Sequence, residues 1–271
     1  MADKIAFCFC CKNSINNLPL WEKFFRGNED YFDVYVHAAD RLSVKQDFVK
    51  DNLITEYHTT WGDFYLAVMG LYEKACLQGN KKIILVSGAC VPVKSFSVVY
   101  SYLTKDDNSY LAYQPHIAKT DTQRKTLEGN FQRFLNNSYR SSDFLREIDV
   151  KHWYYNETWS ILNRFHAQLI LRHAWLLERF REMGCFAYDE NFPSYVLSMN
   201  GELNKVVNKR TTFANWDESE GDNSGRHPKS YESIAQNDLE IFKPFLFARK
   251  VLPISDILNQ LPLDERLYTF F

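Results

Sequence analysis

The sequence predicts an α/β fold with a central, mostly parallel sheet flanked by helices, and three observations predict it. Ile5 to Cys11 and Tyr31 to His37 are apolar strand runs. Between them lies one short amphipathic helix, Leu18 to Phe25, stopped by Gly27-Asn28. Strand, helix and strand in so few residues give a parallel pair joined by a right-handed crossover. Third, Lys81-Lys82 lead into Ile83-Ile84-Leu85-Val86, an unbroken apolar run of the kind that sits mid-sheet with both faces covered.

The remaining elements follow in order. Asp47 to Asp51 closes a short helix, and Leu53-Ile54-Thr55 reads as a strand. Trp61-Gly62 opens an amphipathic helix on which Tyr65, Val68, Met69, Tyr72 and Cys76 recur at helical spacing, and Gly79-Asn80 caps it. Ser87 to Pro92 is a tight turn after the apolar strand, before a helix around Phe96, Val99, Tyr100 and Leu103. Ligands of open α/β sheets bind beyond the carboxyl ends of the strands, so Ser87 and Gly88 are the first candidates for a site.

Tyr110 to Tyr113 reads as a further strand, and Lys119 to Ser142 as helix and loop whose Phe131, Phe134 and Tyr139 pack or line a groove. Trp159 to Leu162 is a strand, Phe165 to Met183 one long helix ended by Gly184, and Asp189 to Leu197 the start of another. Val206 to Phe213 is extended, and Asp217 to Lys229 is a polar surface loop. Phe245 to Val251 begins a tail that ends in Tyr268-Thr269-Phe270-Phe271. With no internal repeat or linker, residues 1–271 read as one unit.

A chain of 271 residues with 45% hydrophobic and 16% aromatic content can bury one sizeable core. The net charge is −2 with Lys and Arg dispersed, which argues against nucleic acid or an anionic membrane as partner. Apolar runs are far shorter than a bilayer span, and Met1-Ala2-Asp3-Lys4 lacks a signal peptide's apolar core, so a soluble, cytoplasmic protein is expected. Cys8, Cys10, Cys11, Cys76, Cys90 and Cys185 fall mostly in predicted strands and helices and read as packing thiols.

Trp61-Gly62, the helix after it, and Leu85-Val86-Ser87-Gly88-Ala89-Cys90-Val91-Pro92-Val93-Lys94-Ser95-Phe96, closed by Tyr100-Ser101-Tyr102-Leu103, resemble the central motif of the core-2/I-branching glycosyltransferases, glycosyltransferase family 14. That family includes peptide O-xylosyltransferases and plant relatives. The resemblance runs from the first strand to Lys250 and is loose between Lys119 and Lys151. It implies a GT-A fold with a nucleotide-sugar-binding half over about 1–115 and an acceptor and catalytic half over about 116–271. The implied partners are a UDP-sugar donor and a glycan acceptor.

Within Cys185-Phe186-Ala187-Tyr188-Asp189-Glu190-Asn191-Phe192-Pro193, local sequence alone favours Asp189 as a helix cap and Glu190 beside the helix's positive end. The segment is similar to the family's Asp-Glu motif, which implies Glu190 as general base and Asp189 as its neighbour on the acceptor side. The leaving diphosphate needs a metal or fixed cations. The chain has no Asp-any-Asp tripeptide; Asp106-Asp107 has the wrong spacing and Glu218-Ser219-Glu220 lies in the polar loop. The family's core-2 branch works without metal, and Phe247-Ala248-Arg249-Lys250-Val251 looks like its basic motif, so the resemblance implies Lys250, with Arg249, as phosphate ligands and no cofactor.

Arg226-His227-Pro228-Lys229-Ser230-Tyr231 resembles the family's His-Pro segment, which makes Lys229 a third candidate and Arg226 a weaker one. Thr211-Thr212-Phe213-Ala214-Asn215-Trp216-Asp217 resembles its Thr-aromatic-any-any-Trp segment, implying an acceptor-side role for Trp216 beside the reading as a core tryptophan. Trp159 with Arg164 matches another segment without its Gly-Ser-Gln, so Trp159 reads as structural. On the donor side, Val36-His37-Ala38-Ala39-Asp40 ends the second strand. Asp40 is a candidate for ribose or uracil, or a turn former; His37 is a candidate donor ligand or a satisfied buried histidine.

The sequence therefore leads to an inverting transferase that moves GlcNAc or xylose from a UDP-sugar to a glycan hydroxyl. A bacterial or viral relative fits it better than a Golgi enzyme. A non-catalytic sugar- or nucleotide-binding module on the same fold is the alternative; an ordinary metal-dependent α/β enzyme ranks lower.

Overall fold

A computed structural model describes residues 3–60, 62–115, 150–182, 188–216 and 227–266. Trp61, the 119–142 stretch with its three aromatics, Gly184, Cys185, Arg226, most of the polar loop and the final apolar tail lie outside the described residues.

The main sheet holds β1 (Ile5–Cys11), β2 (Phe32–Ala38), β3 (Lys82–Ser87) and β7 (Ile161–Asn163) in the order β2-β1-β3-β7. The first three are mutually parallel and β7 is antiparallel to β3. Alternation along the strands sorts their side chains to two faces. Ile5, Phe7, Phe9, Val34, Val36, Ile84 and Val86 pack with Trp21, Phe24 and Phe25 of α1 (Leu18–Phe25) and with Phe96, Val99 and Leu103 of α4 (Phe96–Thr104). Ala6, Cys8, Tyr35, Ile83, Leu85 and Leu162 pack instead on α3 (Tyr65–Leu77), α5 (Arg164–Arg172) and α7 (Phe192–Met199). This two-sided cover is why β3 carries no polar alternation: all six of its residues are buried.

Several expectations shift. α3 is buried on most of its circumference and not along one stripe; Tyr57 lies against Gly70, where a Cβ would come within 2.4 Å of its ring. Leu53 makes only a single parallel bridge to Val36 beside α2 (Asp47–Asp51), so the 53–55 strand is absent. Tyr110 bridges Ile161 and Val207 singly, and pairing resumes in β5 (Tyr113–Pro115) against β6 (Tyr154–Asn156). The long helix from Phe165 is two, α5 and α6 (Trp175–Glu182), separated at His173-Ala174 by tight turns in which His173 N–H donates to Ile170 O and Ala174 N–H to Leu171 O. No described helix is long and apolar enough to cross a membrane.

A second sheet, β4 (Val91–Pro92), β9 (Phe247–Arg249) and β8 (Thr212–Ala214), carries the C-terminal part of the chain back to the turn after β3. Leu20, Val91, Val93, Tyr231, Phe242 of α8 (Gln236–Phe242), Ala248, Val251 and Ile257 of α9 (Ile257–Gln260) form its core. Trp21 joins the two sheets: its indole N–H donates to Cys90 O at 3.0 Å and its ring stacks on Phe247.

Candidate active site

The carboxyl ends of β1, β2 and β3 open into a cavity of about 800 Å³, a size typical of small-molecule sites. Cys11, Lys12, Ser14, Asn16, His37, Ala39 and the Ser87-Gly88-Ala89 turn form its floor. Gly88 is there for close approach: a Cβ would sit 2.7 Å from both Cys11 Cβ and Ser14 O. Its amide donates to Cys10 O at 2.8 Å and its carbonyl accepts from Asn16 N–H at 2.7 Å, so β3 and the β1–α1 loop are locked together here. The Ser87 hydroxyl accepts from Ala89 N–H and lies 3.2 Å from Cys90 Sγ, which shapes the same turn. His37 is 3% exposed, and its Nε2 lies 3.0 Å from Tyr57 O; burial holds its pKa below the ordinary value.

One wall is acidic. Tyr188–Glu190 forms a single 3-10 turn, and α7 starts only at Phe192 with Asn191 as N-cap residue, so Asp189 is not the helix cap. Asp189 is 6% exposed, accepts the Thr158 hydroxyl at 2.8 Å through Oδ2, and leaves Oδ1 buried without a hydrogen-bond partner. Burial raises its pKa. Glu190 lines the cavity beside it. Burial, then the charges of Asp189 and Glu157, push its pKa up to about 7. Glu157 reaches the cavity from the end of β6 and is paired with Arg210.

Another part of the lining is cationic and aromatic. β8 and β9 run parallel in register, and their ends bring Trp216 and the pair Arg249-Lys250 to the cavity together with His227 and Pro228. The Arg249 guanidinium lies 4.6 Å from the Trp159 ring centroid, and its Nε is buried without a hydrogen-bond partner. Burial lowers its pKa. A cation held out of water over an indole gains about 0.5–2 kcal/mol from the ring, and the Glu157 carboxylate partly offsets its burial while Nε still lacks an acceptor. The cavity therefore holds a buried cation together with a carboxylate that can exchange a proton near neutrality.

Of the residues singled out in the sequence, His37, Ser87, Gly88, Asp189, Glu190, Trp216, Arg249 and Lys250 all line this one cavity. Asp40 and Lys229 are not among its lining residues. Asp40 donates its backbone N–H to Lys12 O and accepts at its carbonyl from Ser43 N–H, the turn-forming role. Lys229 has its ammonium 5.5 Å from the Tyr231 ring centroid. Trp159 contributes to the cavity wall as well as to packing, with Phe64 stacked on it. Glu157 and Tyr155 in the wall and Lys12 in the floor are further lining residues that the sequence did not signal. Glu157 and Thr158 stand where the resembled Gly-Ser-Gln would be, which hid them. Among the described residues no three His, Cys, Asp or Glu side chains gather as a metal site. The described cysteines are free thiols, as expected of packing residues, and burial raises their pKa values.

A family model described as "Branch: Core-2/I-Branching enzyme" matches residues 5–245. The chain is also 21% identical over 270 residues to Glycosyltransferase BC10 of Oryza sativa subsp. japonica, a match covering 84% of this chain and 62% of the rice protein. It thus spans less than two thirds of that relative's length. The sheet covered by helices on both faces is the GT-A-like α/β architecture that the resemblance implied. The matched residues end at 245, so Arg249 and Lys250 stand on their geometry.

Proposed function

The chain belongs to the core-2/I-branching enzyme family, and on that premise we propose that it transfers a sugar, GlcNAc or xylose, from a UDP-sugar to a glycan hydroxyl with inversion. The observation that carries this reading is the presence, in one cavity, of a carboxylate whose pKa is pushed up to about 7 and a buried guanidinium whose Nε has no hydrogen-bond partner. Residues 1–271 act as one catalytic unit, with the donor on the floor formed by β1, β2 and β3 and the acceptor along the wall from Tyr155 to Glu190 and Trp216.

In the proposed step, Glu190 takes the proton of the acceptor hydroxyl as its oxygen attacks the anomeric carbon. The bond to UDP breaks on the opposite face, so the new linkage is β. Arg249 and Lys250 hold the diphosphate as its charge develops and supply the role that a divalent ion plays elsewhere. Asp189, buried behind Glu190, raises the base's proton affinity. Trp216 offers a ring face to the acceptor sugar.

UDP release over a panel of UDP-sugars, with and without EDTA, tests the reading. Release from one donor that survives EDTA supports it and names the sugar; release abolished by EDTA overturns the metal-free clamp. The absence of both release and a UDP-induced thermal shift would overturn the whole proposal.

A further inference from the structure

Asp63 is not among the residues lining the cavity, yet it ties two of its walls together. Its backbone closes a turn on Thr60, with N–H to O distances of 3.1 and 3.0 Å, around Gly62 at φ 79. Thr59, Thr60, Gly62 and Phe64 of this turn line the cavity. The Asp63 carboxylate accepts the hydroxyl of Tyr188 through Oδ1, and Arg181 Nε lies 3.1 Å from Oδ2. Tyr188 is 2% exposed and sits in the same 3-10 turn as Glu190.

The other side of that turn is held by residues 154–158. Thr158 donates to the Asp189 carboxylate at 2.8 Å, Asn156 Nδ2 to Asp189 O at 3.0 Å, and Asn191 Nδ2 to Tyr154 O at 2.9 Å. Glu190 therefore lies between two anchors. Arg181 is 43% exposed, so its ion pair is weak and the buried Tyr188 hydroxyl makes the effective link. Burial and the Asp63 carboxylate keep the Tyr188 phenol protonated, so it remains a donor through the neutral range.

We infer that Asp63 is a positioning residue: by accepting the Tyr188 hydroxyl it fixes the turn that carries Glu190 and sets where the carboxylate meets the acceptor. The inference rests on the reading of Glu190 as the base. A base displaced by a fraction of an ångström loses rate without losing donor affinity.

Asp63→Ala and Tyr188→Phe should each lower kcat roughly 10- to 100-fold, leave UDP affinity within about twofold, and shift the acid limb of the pH–rate profile. Their double variant should be little worse than either single one, since both cut the same link. Asp63→Asn keeps an acceptor oxygen and should recover part of the loss. Hydrogen exchange supplies a readout without turnover: Asp63→Ala should speed exchange selectively across Tyr188 to Asn191. Unchanged exchange there, or uniformly faster exchange that tracks a lower Tm, would overturn the inference. Local loosening in Asp63→Ala together with undiminished turnover in Glu190→Gln would leave the anchor standing and remove Glu190 as base.

Discussion

The Arg249 guanidinium lies 4.6 Å from the centroid of Trp159, so a cation of the cavity lining rests against an indole from a segment distant in sequence. Arg249→Ala and Lys250→Ala should each weaken UDP binding roughly 10- to 100-fold by calorimetry, the range for lost charge-assisted hydrogen bonds. Arg249→Lys should not rescue, because an ammonium has neither the planar stacking face nor the fork. Trp159→Leu should weaken UDP binding about 2- to 30-fold through loss of the ring's attraction alone. Unchanged affinity in all of these would remove the cations from the site.

Glu190→Gln should lower kcat by about 10²–10⁴, the usual worth of a general base, while UDP affinity stays within about twofold. In the wild type, activity should rise with pH through about 7 as Glu190 releases its proton. Glu157→Gln removes one of the charges that raise this pKa, so the acid limb should move to lower pH. A limb in the ordinary carboxylate range for the wild type would exclude Glu190 as the titrating group.

The same carboxylate makes stability depend on pH in a stated direction. Glu190 titrates near its ordinary value of 4.5 when unfolded and at about 7 when folded. Between those values the folded chain holds the extra proton, so stability falls as pH rises through the window and levels off above it. Glu190→Gln does not titrate. Its Tm advantage over the wild type should be near zero at pH 4.5 and grow towards an upper bound on the order of 10 °C at pH 8, because a shift from 4.5 to about 7 is worth at most roughly 3 kcal/mol. A constant Tm difference across pH would contradict the buried, raised carboxylate.

Gly88→Ala places a methyl 2.7 Å from Cys11 Cβ and from Ser14 O, where neither backbone can yield cheaply. Overpacking of this kind costs about 1–3 kcal/mol, and the displaced β1–α1 loop should also weaken UDP binding. Wild-type Tm and affinity would show that the floor is not close-packed.

The sheet was legible because apolar runs report burial directly: β1, β2, β3, α1 and α4 all stand within a residue or two of where spacing placed them, while α3 starts at Tyr65, later than the Trp61-Gly62 opening the sequence suggested. The break at His173-Ala174 was not. Leu169 and Ile170 before it, and Leu176, Leu177 and Phe180 after it, face the same core cluster, so the apolar pattern runs through the turn without interruption. Asp189 misled for another reason. Its local signals are those of a cap, and only the distant Thr158 hydroxyl shows where its oxygen goes. Glu157 and Trp159 belong to the cavity through pairings with Arg210 and Arg249, contacts across the fold that no local spacing encodes. Eight of the eleven candidate residues share the cavity, because most of them sit at or just beyond strand ends and the sheets gather strand ends; Arg226 lies outside the described residues.

β9 reaches β4 across more than half the chain, pairing Phe247 with Pro92 and Ala248 with Val91. During synthesis, β1, β2 and β3 leave the ribosome long before that partner exists, and Trp21 must wait for Phe247 to cover its ring. A nascent chain that has just gained Glu190 owns its acidic wall but neither Arg249 nor Lys250. On the proposed reading, the diphosphate clamp is therefore completed in one late step, when translation passes residue 250 and the returning strand docks.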